Sequence, residues 1–168
     1  PAIPARGAVD AFLLSELTKQ GLGYSKPAEP RALLRRASVT LTGLLPTAER
    51  ADRFVADHAR DADVAYRALV EELLASPHFG ERWARHWLDV ARYADTAGDG
   101  ADYPTPEAYR YRDWVIQSWN EDKPFNRFIK EQIAADELYP GDRKALPGLG
   151  YLRLFEDEFN QANIHLRR

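Results

Sequence analysis

The sequence contains no cysteine, and this absence excludes several kinds of site. Without cysteine there is no disulfide framework, no thiolate metal site, no catalytic thiol and no attachment point for a covalent c-type haem. Aliphatic β-branched residues are scarce, with 7 Val and 5 Ile against 25 Ala and 19 Leu. Because Ala and Leu favour helices whereas Val and Ile favour strands, this balance predicts an all-α protein.

A strong excess of charge of either sign is also missing. The 168 residues carry 23 basic and 26 acidic side chains, for a formal charge of −3. Nothing in this balance suggests a nucleic-acid partner. No apolar run approaches the roughly 20 residues of a membrane span. The chain opens on PAIP with no signal-peptide pattern, as we expect of a processed or excised piece.

Helical periodicity, interrupted by Pro- and Gly-rich connections, predicts about seven helices. At this length we expect one domain over residues 1–168, built as an irregular orthogonal helix bundle. Residues 1–7 are predicted as a lead-in. Residues 139–168 are predicted as a coil-rich C-terminal segment, because Pro and Gly recur in its first half.

The fifth predicted helix begins the most distinctive part of the chain. Ser76 fits its N-cap and Pro77 its first position, and the helix is expected to run to about Ala94. A loop with two Gly and two Pro follows, and a sixth helix is predicted from about Pro106 to Asn120. The Asp residues of that loop do not follow the order of an EF-hand, so we expect a capped turn there rather than a calcium site.

The fifth and sixth helices each carry two Trp, which predicts a helix pair packed through aromatic rings. The helical period places Phe79, Trp83 and Val90 on one face of the fifth helix. The simplest interpretation is a buried pair whose indole N–H groups and arginine–carboxylate pairs are satisfied internally, since an unpaired buried charge costs several kcal/mol. The predicted members of this structural lattice are Arg82, Asp89, Arg92, Arg112, Glu131 and Asp136.

A second interpretation of the same segment is a pocket around the long loop, because loops on rigid helices often carry sites. Two acids across a cleft are the pair that glycosidases use when their carboxyl groups lie about 5–9 Å apart. The candidate catalytic residues are His86, Asp95 and Asp113, and the candidate binding residues are Arg85, Tyr93, Tyr109 and Arg110.

Motifs of known enzyme classes and metal sites are missing. There is no phosphate-binding glycine loop, no nucleophile elbow and no zinc-protease motif. The four His lack the spacing of zinc ligands, so no metal site is predicted. A non-covalent haem held by His86 or His165 is a weaker alternative to the pocket.

Several strings of the chain share the pattern of one family. They are VDAF at residues 9–12, LTGL at 41–44, SPHFGERWARHWLD at 76–89, ARYAD at 91–95, YRDWVI at 111–116, EQIA at 131–134 and GYLR at 150–153. On these strings, which extend over nearly the whole chain, the sequence resembles the DUF1549 family, also described as the planctomycete cytochrome-associated domain PSCyt2.

The resemblance implies a module of large secreted or periplasmic bacterial proteins that often carry c-type haem domains. It therefore implies a periplasmic or extracellular location and protein partners in a larger complex, including haem- or membrane-associated ones. It implies no established activity. Since the chain has no cysteine, we expect no covalent haem and no cofactor in this polypeptide. Asp99-Gly100 replace the more usual aromatic residues of the family's loop, which argues against a loop-borne activity.

The favoured hypothesis is a non-catalytic helical scaffold or interaction subunit of an extracytoplasmic, redox-linked assembly. Exposed aromatic and Arg side chains would then form the contacts, because such residues are enriched at interfaces. The alternative is a secreted enzyme or sugar-binding domain with its pocket around His86, Asp95 and Asp113. The alternative predicts an open, polar pocket at these residues.

Overall fold

A computed structural model describes residues 7–97 and 103–154, and within them the chain forms seven α-helices and one 3-10 helix. The helices are α1 (Ala8–Lys19), α2 (Pro30–Thr42), α3 (Ala48–Arg60), α4 (Ala62–Leu74), α5 (Pro77–Val90), α6 (Tyr109–Asn120), α7 (Phe125–Leu138) and the 3-10 helix (Leu146–Leu154). In this part of the chain the β structure consists of one isolated bridge, between Thr96 and Pro104. The predicted all-α class is confirmed. His165 and Asp99-Gly100 lie outside the described residues, so the expectations for them stay predictions.

Local chemistry accounts for the starts of α2, α3, α4 and α5. The side chains of Thr47, Asp61 and Ser76 accept backbone N–H groups from the first turns of α3, α4 and α5. Pro30 and Pro77 occupy the first turns of α2 and α5, where a missing N–H costs nothing. Each N-cap contributes about 1 kcal/mol to stability.

The helices α2, α3 and α4 pack around a mainly aliphatic core. Leu34 and Leu69 at its centre are each 1% exposed, and burying a leucine side chain stabilises by about 2 kcal/mol. Arg31 and Asp52 join α2 to α3 at 2.5 Å on the surface, where an ion pair adds less than about 1 kcal/mol. The buried members of this first core are Leu34, Ala37, Phe54, Ala65 and Leu69.

The helices α5, α6 and α7 and the 3-10 helix pack around a second core that is rich in aromatic rings. Trp114 stacks on Phe128 with ring centroids 5.0 Å apart, and Trp87 meets Phe128 edge to face at the same distance. Such pairs add about 1 kcal/mol beyond the area they bury. The buried members of this second core are Ala84, Tyr111, Trp114, Val115 and Phe128.

The packing of α2 on α5 joins the two cores. Gly43 ends α2 in the left-handed conformation, with φ of 74°, and the side chain of Arg82 on α5 lies against it. A Cβ atom at Gly43 would lie 3.1 Å from Arg82 Cδ. Glycine therefore meets both the conformational and the steric demand of this junction.

The other described helices leave α1 largely uncovered. None of its residues is buried, and Val9, Phe12 and Leu13 are 73%, 78% and 53% exposed. The connection that follows α1 is tied back to it where the Tyr24 hydroxyl donates to the carbonyl of Asp10. Val9, Phe12 and Leu13 follow the i, i+3, i+4 spacing, so they form one apolar stripe, called the α1 stripe below. No helix in the described ranges has the length and apolar character of a membrane span.

The end of α5 differs from the prediction. The helix ends at Val90 instead of continuing to Ala94, because Arg92 adopts φ of 58° and turns the chain. The N–H of Tyr93 donates to the carbonyl of Leu88 at 2.9 Å, which is the hydrogen bond of a Schellman cap. The following helix likewise begins later than predicted, at Tyr109 instead of Pro106.

The face of α5 that packs in the core also differs from the prediction. Gly80, Ala84 and Ala91 are the buried residues at that face and its C-terminal end, whereas Val90 is 76% exposed. Small residues take the buried positions because α6 lies close to α5 there. The large rings flank these small residues, and Phe79 and Trp83 of α5 meet Trp119 of α6 there, as the sequence predicts.

Candidate functional site

The backbones of α5 and α6 approach closely at the start of α5. The N–H of Gly80 donates to Asn120 Oδ1 at 2.7 Å, and Asn120 Nδ2 donates to the carbonyl of Pro77 at 3.0 Å. A Cβ atom at Gly80 would collide with the carbonyl oxygen of Ile116 and lie 2.6 Å from Asn120 Oδ1. Glycine is therefore required for this approach, and Asn120 fixes the register of the two helices.

Three polar side chains form a network that joins α5, α6 and α7. Trp87 Nε1 donates to Tyr111 Oη and to Gln132 Oε1, both at 3.0 Å. The Tyr111 hydroxyl donates to Gln132 Oε1 at 2.6 Å, and Gln132 Nε2 donates to the carbonyl of Phe128 at 3.1 Å. Burial raises the pKa of Tyr111 to about 12, so this hydroxyl remains neutral and continues to donate.

The other indole N–H groups of the second core are not all satisfied. Trp83 Nε1 and Trp114 Nε1 are buried without a hydrogen-bond partner among the described residues. The prediction of internally satisfied indoles is therefore right for Trp87 and wrong for these two. The Lys123 ammonium lies over the Trp114 ring at 4.6 Å, and the Trp119 ring lies 6.3 Å from Trp83, so both indoles have neighbours that offer no acceptor.

The loop between α5 and α6 begins and ends as a short antiparallel stem. The N–H of Ala97 donates to the carbonyl of Tyr103 and the N–H of Thr105 donates to the carbonyl of Asp95, both at 2.8 Å. Residues 98–102, at the tip of the loop, lie outside the described residues. They include two of the loop's Asp residues, whose order differs from that of an EF-hand.

Arg153 of the 3-10 helix holds the base of this stem. Its guanidinium donates to the carbonyls of Ala94 and Thr96 at 2.9 and 3.3 Å and to Thr105 Oγ1 at 3.4 Å. One side chain therefore joins both arms of the stem to the C-terminal part of the described chain.

Beside the stem, the structure brings two of the predicted catalytic residues to one polar surface cluster. The Tyr93 hydroxyl donates to Asp95 Oδ1 at 2.6 Å, and burial together with this hydrogen bond raises the pKa of Tyr93 to about 12. Arg112 donates from Nε and Nη2 to Asp113 Oδ1 at 3.0 and 2.9 Å. The hydrogen bond to Asp113 and the negative charges of Asp113 and Asp95 raise the pKa of Arg112. Both acids are thus engaged by neighbouring side chains.

The other predicted pocket residues are distributed over the surface. His86 is exposed beside Trp83, with ring centroids 5.3 Å apart. Arg110 pairs with Glu107, and its hydrogen bond with Tyr109 raises its pKa. Arg85 is exposed and makes no ion pair with another described residue.

The predicted arginine–carboxylate lattice is mostly wrong. Among the described residues, Arg82, Asp89 and Asp136 make no ion pair with one another or with a further side chain. Arg92 takes the left-handed position that ends α5, and Arg112 pairs with its sequence neighbour Asp113. The helices α5 and α6 meet through small and aromatic residues, so their charged residues lie at the rim of the contact.

Glu131, the remaining member of the predicted lattice, is fully buried but has other partners. Its carboxylate accepts from Lys123 Nζ at 2.5 Å and from Arg127 Nε at 2.6 Å, and Arg127 also reaches Asp142 at 2.8 Å. The hydrogen bond with Glu131 raises the pKa of Arg127. A buried carboxylate with two cationic partners ties α7 to the turn that precedes it.

A groove that the sequence does not predict lies between α5 and the α6–α7 turn. Its walls include aromatic rings of the predicted α5–α6 pair. It has a volume of about 500 Å³. None of His86, Asp95 and Asp113 lines it, so the open polar pocket predicted for them is a different feature from this groove. We call it the aromatic groove; five rings and one carboxylate define its walls, namely Phe79, Trp87, Trp119, Phe125, Phe128 and Asp122.

Within residues 7–97 and 103–154, no group of three or more His, Asp or Glu side chains lies close enough together to hold a metal ion.

Comparison with known proteins identifies the family. A family model described as PSCyt2, a protein of unknown function (DUF1549), matches residues 8–167, which is nearly the whole chain. No curated protein and no solved structure matches the chain. The strings that suggested this family contain the structural positions described above, including Gly80 and Tyr111. The chain belongs to the PSCyt2 (DUF1549) family.

Proposed function

We propose that this chain is a non-catalytic interaction module of a larger, extracytoplasmic and redox-linked bacterial assembly. In this proposal it has no cofactor of its own, and any covalent haem belongs to a partner. The membership of the PSCyt2 family supports the setting. The placement in the periplasm or outside the cell rests on the same family resemblance.

The α1 stripe carries the proposal. Val9, Phe12 and Leu13 are each more than half exposed on a helix that no other described helix covers. Contiguous apolar surface of this kind marks interaction sites in soluble proteins. Exposed apolar side chains at this helical spacing are also a common means by which a helix of one protein docks in a groove of another.

The candidate catalytic acids give weaker support to an enzyme. Asp95 accepts from Tyr93, and Asp113 accepts twice from Arg112, so each acid already has a hydrogen-bonding neighbour. His86 is exposed beside Trp83. The side chains therefore form a structural surface cluster more readily than an acid–base pair around a substrate.

The test is recovery of the assembly through the α1 stripe. A tagged wild-type chain, produced in its native host, is expected to recover haem-containing proteins, measured by the haem absorbance of the eluate. Phe12→Asp places a charge in the stripe and is expected to reduce this recovery by at least about tenfold, because a desolvated charge in an interface costs more than 1.4 kcal/mol.

Val64→Asp is the matched control. Val64 is 64% exposed in the first turn of α4, where a negative charge is favourable, so this variant is expected to recover as much haem protein as wild type. Equal recovery with Phe12→Asp, or no haem protein recovered by wild type, would contradict the proposal.

A further inference from the structure

The aromatic groove combines ring walls with a length suited to an extended ligand. Phe79 and Trp87 are eight residues apart on α5, so the groove follows that helix for about 12 Å. Phe79 meets Trp119 edge to face at 6.3 Å at one end, and Trp87 meets Phe125 in the same way at the other. Phe125 is 69% exposed, so its ring stands at the open side of the groove.

The charge of the groove comes from a single residue. Lys123 contributes to the wall, but its ammonium is bound to Glu131 at 2.5 Å and its side chain is only 13% exposed. Asp122 is exposed and makes no ion pair or hydrogen bond with another described side chain. The groove therefore presents ring faces, which are electron-rich, and one uncompensated carboxylate.

The backbone at Asp122 is a second, independent feature of the same position. Asp122 adopts φ of 48° and caps α6, with the N–H of Lys123 donating to the carbonyl of Ser118 at 3.0 Å. Glycine is the usual residue at such a cap because it has no Cβ. A carboxylate at this position costs local stability, and residues held in such conformations cluster at functional sites.

We propose that the aromatic groove binds a basic side chain, Lys or Arg, of a partner polypeptide. The charged head pairs with Asp122, and the apolar stem and an adjoining apolar residue lie along the rings of α5. Cations over aromatic faces gain about 0.5–2 kcal/mol, and a carboxylate at the same site adds charge complementarity. This inference rests on the proposed function as an interaction module and adds the chemistry of what it contacts.

The polar groups of the groove favour a cation over a sugar. A bound sugar needs several donors and acceptors that converge on its hydroxyl groups. Ser118 is buried and its hydroxyl donates to the carbonyl of Trp114 at 2.8 Å, and Lys123 is held by Glu131. Asp122 is therefore the charged side chain of the groove that no described side chain pairs with, and among the lining side chains the indole N–H of Trp119 is the other polar group without a described partner. A volume of about 500 Å³ also exceeds one basic side chain and fits a short peptide segment.

The experiment is a titration of the full chain with a blocked tripeptide, acetyl-Leu-Arg-Leu-amide, followed by tryptophan fluorescence. The matched peptide carries Gln in place of Arg. We expect the Arg peptide to bind at least about fivefold more tightly than the Gln peptide, because the cation contacts both the rings and the carboxylate. Equal binding of the two peptides, or no binding of either, would overturn the proposal.

Two variants locate the cation. Asp122→Asn keeps a residue that tolerates the left-handed conformation and is expected to weaken the Arg peptide about fivefold without changing the Gln peptide. Glu121→Gln removes the same charge one residue away and is expected to leave both affinities unchanged. Equal losses in the two variants would show a long-range charge effect and overturn the assignment to the groove.

A further variant and a free cation complete the test. Phe125→Ala removes an exposed ring and is expected to weaken both peptides. Ethylguanidinium, the head group without a polypeptide, is expected to bind at least about tenfold more weakly than the Arg peptide. If it binds as tightly, the occupant is a free organic cation and the polypeptide assignment is wrong. These measurements use the isolated chain and test only the aromatic groove. The peptides can fail to bind while the α1 stripe still recovers an assembly, and the α1 stripe can fail to recover an assembly while the peptides bind.

Discussion

The core between α2, α3 and α4 is mainly aliphatic, whereas the core between α5, α6 and α7 consists of rings joined by directional polar contacts. The first is centred on Leu34 and Leu69, which gain stability from burial in any orientation. The second contains the network of Trp87, Tyr111 and Gln132, whose hydrogen bonds exist in one arrangement. Burial of apolar side chains is therefore the main stabilising contribution in the first core. In the second core, the directions of the hydrogen bonds also specify how the side chains are arranged.

The ends of the helices show the same contrast. Helices α1 and α2 end with Gly21 and Gly43 in the left-handed conformation, at φ of 69° and 74°. Helices α5 and α6 end with Arg92 and Asp122 in that conformation, at φ of 58° and 48°. A non-glycine residue there costs about 1 kcal/mol. Helices α5 and α6 thus carry a conformational cost at their ends that α1 and α2 avoid. The same two helices contribute walls to the aromatic groove.

The largest difference between the halves is expected from the buried ion pair. Glu131→Gln leaves Lys123 buried without a countercharge, so we expect the free energy of unfolding to fall by about 4 kcal/mol. The measurement is urea unfolding followed by circular dichroism. Asp52→Asn, which breaks an exposed pair with Arg31 in the first half, is the control and is expected to change stability by less than about 1 kcal/mol. Similar losses of stability in both variants would show that the buried ion pair contributes no more than the exposed one.

The tolerance of the first core is tested at Leu69, which is 1% exposed. Leu69→Ala leaves a cavity and is expected to cost about 3 kcal/mol in the same unfolding measurement. Leu69→Met conserves volume and is expected to cost less than about 1.5 kcal/mol, because an aliphatic core accepts a change of shape. If the Met variant loses as much as the Ala variant, the first core is as specific as the second.

The close approach of α5 and α6 is tested by adding one methyl group. Gly80→Ala places Cβ against the backbone carbonyl of Ile116, which cannot rotate away, so we expect a loss of about 2 kcal/mol in urea unfolding. Gly23→Ala is the control, because a Cβ there meets nothing within 4 Å and its φ is not positive. Its stability is expected to change by less than about 0.5 kcal/mol. An unchanged Gly80→Ala variant would show that the helices can separate.

The aromatic core is expected to lose stability in alkaline solution. The pKa of Tyr111 is raised by burial from 10.0 to about 12, so the folded state favours the neutral phenol. Its contribution is present below pH 10 and is lost as the pH rises towards 12. The urea midpoint of wild type should therefore fall more steeply from pH 10 to pH 12 than that of Tyr111→Phe. Tyr66→Phe, on the exposed side of α4, is the control and should follow wild type.

The smallest expected effect concerns the helix caps. Asp122→Gly relieves the left-handed conformation and is expected to raise stability by about 0.5 kcal/mol, measured by thermal unfolding. Gly43→Ala introduces the same cost in the first half and also meets Arg82 at 3.1 Å, so it is expected to lose about 1 kcal/mol. A loss of stability in Asp122→Gly would mean that this carboxylate serves the fold and not the groove.

Local chemistry made the starts of α3 and α5 predictable. Thr47 and Ser76 are capping side chains directly before apolar periodic segments, so sequence alone locates those starts. The start of α6 has no capping side chain, and the prediction placed it three residues too early. The end of α5 had no such marker, because Arg92 takes a conformation that glycine usually takes. The contact between Gly80 and Asn120 joins residues 40 positions apart, and no local pattern predicts it.

The candidate site was less predictable, because it depends on which helix faces meet. The lattice prediction paired Glu131 with arginines of α5 and α6, but its partners are Lys123 and Arg127. The spacing of four residues between Arg127 and Glu131 is a signal that could have found one of these pairs. The aromatic groove is formed by rings that the sequence assigns to a core, and only the position of the α6–α7 turn leaves them open.

The glycines of the 3-10 helix have a consequence for the order in which the chain folds as it emerges from its N-terminus. Gly148 lies against Trp114 and Gly150 against Tyr111, so the aromatic core lacks one wall until these late residues have emerged. The aliphatic core is complete once α4 has emerged. We therefore expect an emerging chain, at the ribosome or after crossing a membrane, to present a folded N-terminal half while the rings of α6 are still uncovered, which is the stage at which chaperones protect such surfaces.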